Sequence, residues 1–418
     1  MSTAETRRTV EAVWRMESAR IVAGLVRLVG DVARAEDFAQ DALVSALEQW
    51  SEAGVPENPG AWLTTVARRR AIDHARRRSR VESKHRELAG ELDLAGTMAE
   101  PDAAVGEPVE DEVLRLIFMC CHPVLSTEAR VALTLRLLGG LTTEEIARAF
   151  LVPVPTLAQR IVRAKRTLRE ARVPFELPPE GELSERLGSV LGVVYLIFNE
   201  GYAATSGEDW FRPELCREAL RLGRILAGLA PREPEVHGLV ALMELQASRL
   251  GARLGPDGEA VLLMDQDRTR WDRHHIRRGL AALQRAQELG GALGPYALQA
   301  AIAACHARAA TAEATDWEAI AALYDALAQL TPSPVVELNR AVAVGRAFGP
   351  EAGLELVDAL QGEAKLVDNH LLHAVRGDLL ERLERGAEAR AEFVRAAELT
   401  RNERERDVLR RRAGAEPS

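Results

Sequence analysis

Apolar positions along this chain recur at helical spacing in long stretches separated by short breaks. Residues 11–78 read as helices with little Gly or Pro inside them. One runs from about Ala33 to Trp50, with Ala39, Leu43 and Leu47 as its apolar stripe beside an acidic edge of Glu36, Asp37 and Asp41. The loop SEAGVPENPG interrupts, its Asn58-Pro59-Gly60 a turn signal. A second helix runs from Ala61 to Arg78, with Trp62, Leu63, Val66 and Ala67 for packing. From Ser79 to Val109 apolar periodicity lapses and acidic residues take over, predicting a linker that is extended or only partly helical. Periodicity resumes at Glu110 and holds to about Arg172, VPFELPPEGEL marks a second boundary, and helices joined by short turns follow from Glu185.

The most informative stretch is LTTEEIARAFLVPVPTLAQRIVRAKRTLRE, Leu141 to Glu170. Thr142 and Glu145 have the spacing of a capping box, opening a short helix that runs to Phe150. Pro153 and Pro155 break it, Pro155 being tolerated near a helix start. A second helix then puts Leu157, Ile161, Ala164 and Leu168 on one face and Thr156, Gln159, Arg160 and Arg163 on the other. Its polar face begins with side chains that can read base edges and continues into Lys165, Arg166 and Arg169, suited to phosphates. Such a pair predicts a helix-turn-helix whose second helix enters the major groove; the plainer alternative is a helical hairpin with a solvated basic face.

Composition sharpens this picture. The Ala, Leu, Arg and Glu richness favours helix, with only 4% aromatic residues. The net charge of −9 argues against a chain coated in nucleic acid but permits local patches. One such patch lies in NPGAWLTTVARRRAIDHARRRSR, with seven arginines between Arg68 and Arg80 against the single acid Asp73. Phosphates would neutralise that crowding. The longest apolar run, LGSVLGVVYLIF, has 12 residues, too short for a bilayer, and the N-terminus carries no apolar leader, so a cytoplasmic protein is expected. No nucleotide-binding glycine loop, nucleophile elbow or paired metal-binding histidine motif appears, so neither an enzyme nor a cofactor is expected.

The acidic AEDFAQDAL helix, then AWLTTVARRRAIDHARR, an acidic linker and LTTEEIARAFLVPVPTLAQRIVRAKRTLRE together resemble a bacterial RNA polymerase sigma factor of the extracytoplasmic-function (ECF) group, over roughly residues 11–175. That resemblance implies an all-α protein with core RNA polymerase and promoter DNA as partners. By it, Asp37, Gln40 and Asp41 face the polymerase. The loop from Ser51 to Gly60 and the helix after it hold the −10 element, with Asn58, Trp62, Arg68, Arg69, Arg76 and Arg77 as its contacts. Thr156, Gln159, Arg160 and Arg163, with Lys165 and Arg166, serve the −35 element. Residues 1–78 then correspond to sigma region 2, 79–109 to the linker and 110–176 to the helix-turn-helix of region 4. Residues 177–290 form a helical extension and 291–418 a tetratricopeptide-like array, resembling the subgroup with such a fused domain. A regulatory protein or peptide is a conceivable partner of the array. The alternative is a stand-alone helix-turn-helix regulator whose array senses a ligand or peptide; the acidic helix followed by a melting-type helix separates the two.

In the array, Gly377, Leu380, Ala389, Phe393 and Ala396 fit the small and aromatic positions of a repeat helix pair, and about 36 residues earlier Ala341, Val344, Gly353 and Val357 take equivalent places. A looser copy spans Tyr296 to Thr331, and RNERERDVLRRR suits a polar cap. Three conspicuous clusters read as structural. Asp272 in DQDRTRWDRHH is an N-cap with Trp271 beneath it rather than a metal ligand, Gly201 in FNEGY is a C′ glycine ending a helix, and Cys120 and Cys121 of FMCCHPVLS are packing residues.

Overall fold

The computed structural model describes residues 3–88, 109–203, 211–255, 259–363, 366 and 368–414. Among them the chain forms eighteen α-helices and no strand, the all-α architecture that the periodicity predicts. By internal packing it divides into two units, Met1–Val193 and Val194–Ser418.

In the first unit, α1 (Thr3–Val29) packs against α2 (Val32–Ala53), α3 (Pro59–Leu88) and α4 (Val109–Cys120). The Asp31 carboxylate starts α2 by accepting from the N–H groups of Ala33 and Arg34, at 2.8 and 3.2 Å. The buried line of α2 is Ala35, Ala39, Ala42, Ala46 and Trp50. The predicted stripe was offset: Leu43 and Leu47 lie half-buried on its flank, because alanines admit the neighbouring helices more closely than leucines do. Glu36, expected on the open acidic edge, is buried at 4% exposure.

Helix α3 runs to Leu88 instead of stopping at Arg78. Its charged tail lacks an apolar face, yet Arg, Lys and Glu are good helix formers, so lost periodicity did not end the helix. Residues 89–108 of the expected linker lie outside the described residues.

Helix α4 leads through the buried Cys120 and Cys121 to α5 (Thr127–Leu133), which continues as a π turn over Thr134–Leu138. Next come α6 (Thr143–Ala149), α7 (Val154–Glu170) and α8 (Glu180–Tyr202), the last crossing the division between the units. The first half of α8 fastens the cysteine corner: Ser189 Oγ donates to the Cys121 carbonyl and Arg186 Nη2 to that of Phe118, both at 3.1 Å. The Cys121 Sγ lies 3.6 Å from Thr134 Oγ1. Burial raises both thiols, Cys121 to about 11, so neither is an activated thiolate.

The second unit holds α9 (Pro213–Leu229), α10 (Pro234–Ala247), α11 (Arg273–Glu288), α12 (Pro295–Arg308) and α13 (Trp317–Leu330). It continues with α14 (Pro334–Ala347), α15 (Pro350–Ala359), α16 (His370–Arg382), α17 (Gly386–Leu399) and α18 (Glu403–Arg412). Gly201 does not end α8 as a C′ residue; it is helical, and a Cβ there would come within 2.6 Å of the Cys216 backbone nitrogen. Its smallness serves the close approach of α9. Asp272 caps α11, accepting from His274 and His275 N–H at 2.7 and 3.2 Å over the buried Trp271. Consecutive helices pair from α12 onward, and Gly377 of α16 makes room for the Phe393 ring of α17.

Candidate nucleic-acid interface

The local chemistry of α6 and α7 builds a recognition element. Glu145 N–H donates to Thr142 Oγ1 at 3.1 Å while the Glu145 carboxylate accepts from Thr142 N–H at 2.8 Å, completing the predicted capping box. Leu151 turns the chain with a left-handed backbone, φ 50°, which a leucine adopts only under constraint. Pro155 occupies the first turn of α7. Leu157, Ile161, Ala164 and Leu168 are buried, fixing the helix's rotation.

That rotation brings Thr156, Gln159, Arg160 and Arg163 together. They line one shallow groove with Ser126 and Ala129 from the start of α5. Thr156, Gln159 and Arg163 are exposed and Arg160 partly so. The other two expected −35 contacts behave differently. Arg166 is exposed but its Nε donates to Glu170 at 2.6 Å. Lys165 faces away from the groove and pairs with Glu36 on α2. Arg136 from the π turn joins them, its Nε 2.6 Å from Glu36 Oε1, and Arg169 Nη1 approaches Asp31 at 3.9 Å. Sequence reasoning missed Glu36 and Arg136; the pairing of one acid with cations 100 and 129 positions away has no local signal.

Of the expected −10 contacts, Arg68, Arg69, Arg76 and Arg77 project from α3 into solvent. Arg70 is instead tied to Ser45 Oγ at 2.7 Å and Asp41 at 3.2 Å. Trp62 meets Trp50 edge-on, ring centroids 5.4 Å apart, anchoring the loop before it. Asn58 is a helix cap here, its Oδ1 accepting from Ala61 N–H at 3.0 Å. Asn58, Gly60, Ala61, Thr64 and Arg68 border a cleft of about 500 Å³ that Glu112 of α4, paired with Arg27 at 3.2 Å, partly closes. On α2, Asp37 and Asp41 are exposed and Gln40 half-buried. Partial burial raises the Asp37 carboxyl, against a lowering by Lys165.

A capped helix-turn-helix with an exposed arginine-bearing second helix, beside three helices that end in a basic one, defines a helix-turn-helix DNA-binding protein. Comparison with known proteins narrows this. Residues 14–81 match Sigma-70 region 2, residues 115–168 match Sigma-70 region 4, and residues 186–287 match a family of unknown function, DUF6596. The ECF RNA polymerase sigma factor SigL of Mycobacterium tuberculosis is 32% identical over 145 residues, 34% of this chain and 77% of SigL. The probable ECF RNA polymerase sigma factor SigI of the same organism is 29% identical over 170 residues, 41% of this chain and 58% of SigI. An uncharacterized protein of Rhizobium meliloti is 45% identical over 387 residues, 92% of this chain and 90% of its own length. No solved structure matches. The chain belongs to the ECF RNA polymerase sigma factors, with a helical extension after region 4.

Proposed function

We propose that this sigma factor reads its −35 element with Thr156, Gln159, Arg160 and Arg163, holds its −10 element on the exposed arginines of α3, and meets core polymerase through the Asp37–Asp41 edge of α2. The grouping of the four α7 side chains in one solvent-facing groove carries the reading, since base edges are reached from the start of a second helix in this geometry. Residues 1–78 then act as the polymerase and −10 part, 110–176 as the −35 part, and everything after residue 177 as a regulatory or core-contacting extension with a tetratricopeptide-like end. Polymerase supplies the chemistry and this chain the choice of promoter. No helix among the described residues is long and apolar enough to cross a membrane, in keeping with a protein working at DNA.

Transcription with purified chain, core polymerase and a candidate promoter tests the assignment. The double variant Gln159→Ala, Arg160→Ala should lose −35-dependent transcripts while still binding polymerase. Duplex binding without any transcripts from the wild type would favour a stand-alone regulator.

A further inference from the structure

The second unit buries four arginines, and they are not neutralised alike. Arg212, Arg249, Arg253 and Arg268 are each 7% exposed or less. Arg212 pairs with Glu200. Arg268 is held by neutral acceptors: Nη1 donates to the carbonyls of His306 and Ala309 at 2.9 and 3.0 Å, and Nη2 to Thr315 Oγ1 at 2.7 Å. Those bonds fix the guanidinium without cancelling its charge. Arg253 lies 4.0 Å over the Tyr202 ring and 6.0 Å from that of Phe211.

Arg249, just beyond α10, stands apart. Its guanidinium sits 5.8 Å from the Tyr202 centroid and 5.7 Å from the Trp271 centroid. Among the described residues it has no carboxylate partner and no hydrogen bond, and its Nε is buried without one. Cation–π contact with two rings offsets only part of the cost of burying a charge. Trp271 Nε1 and His306 Nδ1 are also buried and unmatched. The His306 ring is held neutral, its pKa pushed down to about 3 by burial and by the positive charge of Arg249 and Arg268. Among the described residues the surroundings of Arg249 are therefore cationic and walled by aromatic rings, with no acceptor on its guanidinium.

We propose that Arg249, backed by Arg268 and Arg253 and walled by Tyr202 and Trp271, binds the oxyanion group of a small molecule, a carboxylate or a phosphate. The planar guanidinium fork matches either group in two hydrogen bonds. A guanidinium this enclosed presents no face to the flat surface of a protein or nucleic acid, so the group it meets is a small one. The site lies within the stretch matched by the family of unknown function and is separate from every DNA- and polymerase-facing residue assigned above.

Titration of the full chain with inorganic phosphate or with acetate, against chloride at equal ionic strength, tests it through Trp fluorescence and thermal unfolding. The expected result is a saturable fluorescence change and a Tm that rises with one or both oxyanions but not with chloride. A response to phosphate alone assigns a phosphate-bearing ligand, and to acetate alone a carboxylate. Arg249→Gln should weaken the response roughly tenfold or more, and Arg249→Met, which keeps the apolar stem, should abolish it. Oxyanions acting no differently from chloride on the wild type would overturn the proposal whether or not the variants fold. A saturable response unchanged in both variants would overturn it equally.

Discussion

Arg163 stands exposed beside Gln159 and Arg160 in the α7 groove, with no acid paired to it among the described residues. Arg163→Ala should weaken DNA binding and lower its salt slope by about one if the guanidinium meets a phosphate; titrations at several salt concentrations read that slope. His306 should give stability a pH dependence of the opposite kind from a salt-bridged histidine. Its folded pKa, about 3, lies below the ordinary 6.5, so the unfolded chain binds the extra proton between those values. Stability is fully present above about pH 6.5 and falls as pH drops toward 3, by at most about 1.4 kcal/mol per pH unit from this group. His306→Gln should flatten that part of a urea-unfolding profile measured from pH 7 to 5. That Thr156, Gln159, Arg160 and Arg163 share one solvent-facing side of α7 was legible in the sequence, because a helix's polar face follows from its apolar one. The partner of Lys165 was not, because periodicity assigns a face and leaves open what a distant element brings against it.

At the scale of elements, α2 was predicted in place but rotated. Its alanines, weak signals in a hydrophobic pattern, make the buried line, and the stronger leucines sit at the margin. Glu36 thereby enters the interior and holds Arg136 and Lys165. Glu36→Gln would leave two cations facing a neutral amide, and should lower the stability of the first unit by about 3 kcal/mol, the scale of a broken buried pair. It should also raise the affinity of the free protein for duplex −35 DNA, since the Lys165 ammonium, no longer held by a carboxylate, is released to meet a phosphate. Calorimetry and fluorescence anisotropy measure the two effects; unchanged values in both would mean that the α2–α7 contact contributes little. The α3 extension to Leu88 teaches a related lesson: acidic and basic residues without apolar spacing were read as linker, although their backbone propensity is helical.

For the whole molecule, the boundary between the sigma domains and the extension was placed at 176/177 by the Pro-rich stretch, yet α8 begins at Glu180 and serves the first unit through Arg186 and Ser189. A chain ending at Leu177 should therefore melt at a lower temperature than one ending at Ala203, because the former loses the contacts to Phe118 and Cys121. Thermal unfolding of the two forms checks this, and it bears on any truncation meant to isolate the extension's role.

The four cysteines are all unpaired, two in each unit, and three of them are fully enclosed. Burial lifts every one of these thiols above its ordinary pKa, Cys216 to about 12. An alkylating reagent at neutral pH should thus find Cys305, half-buried, first. Modification of Cys120 and Cys121 then times the opening of the helix-turn-helix corner, and that of Cys216 times the loosening of α8 from α9. The chain carries its own stopwatches, readable by the mass each alkylation adds, with no cysteine introduced.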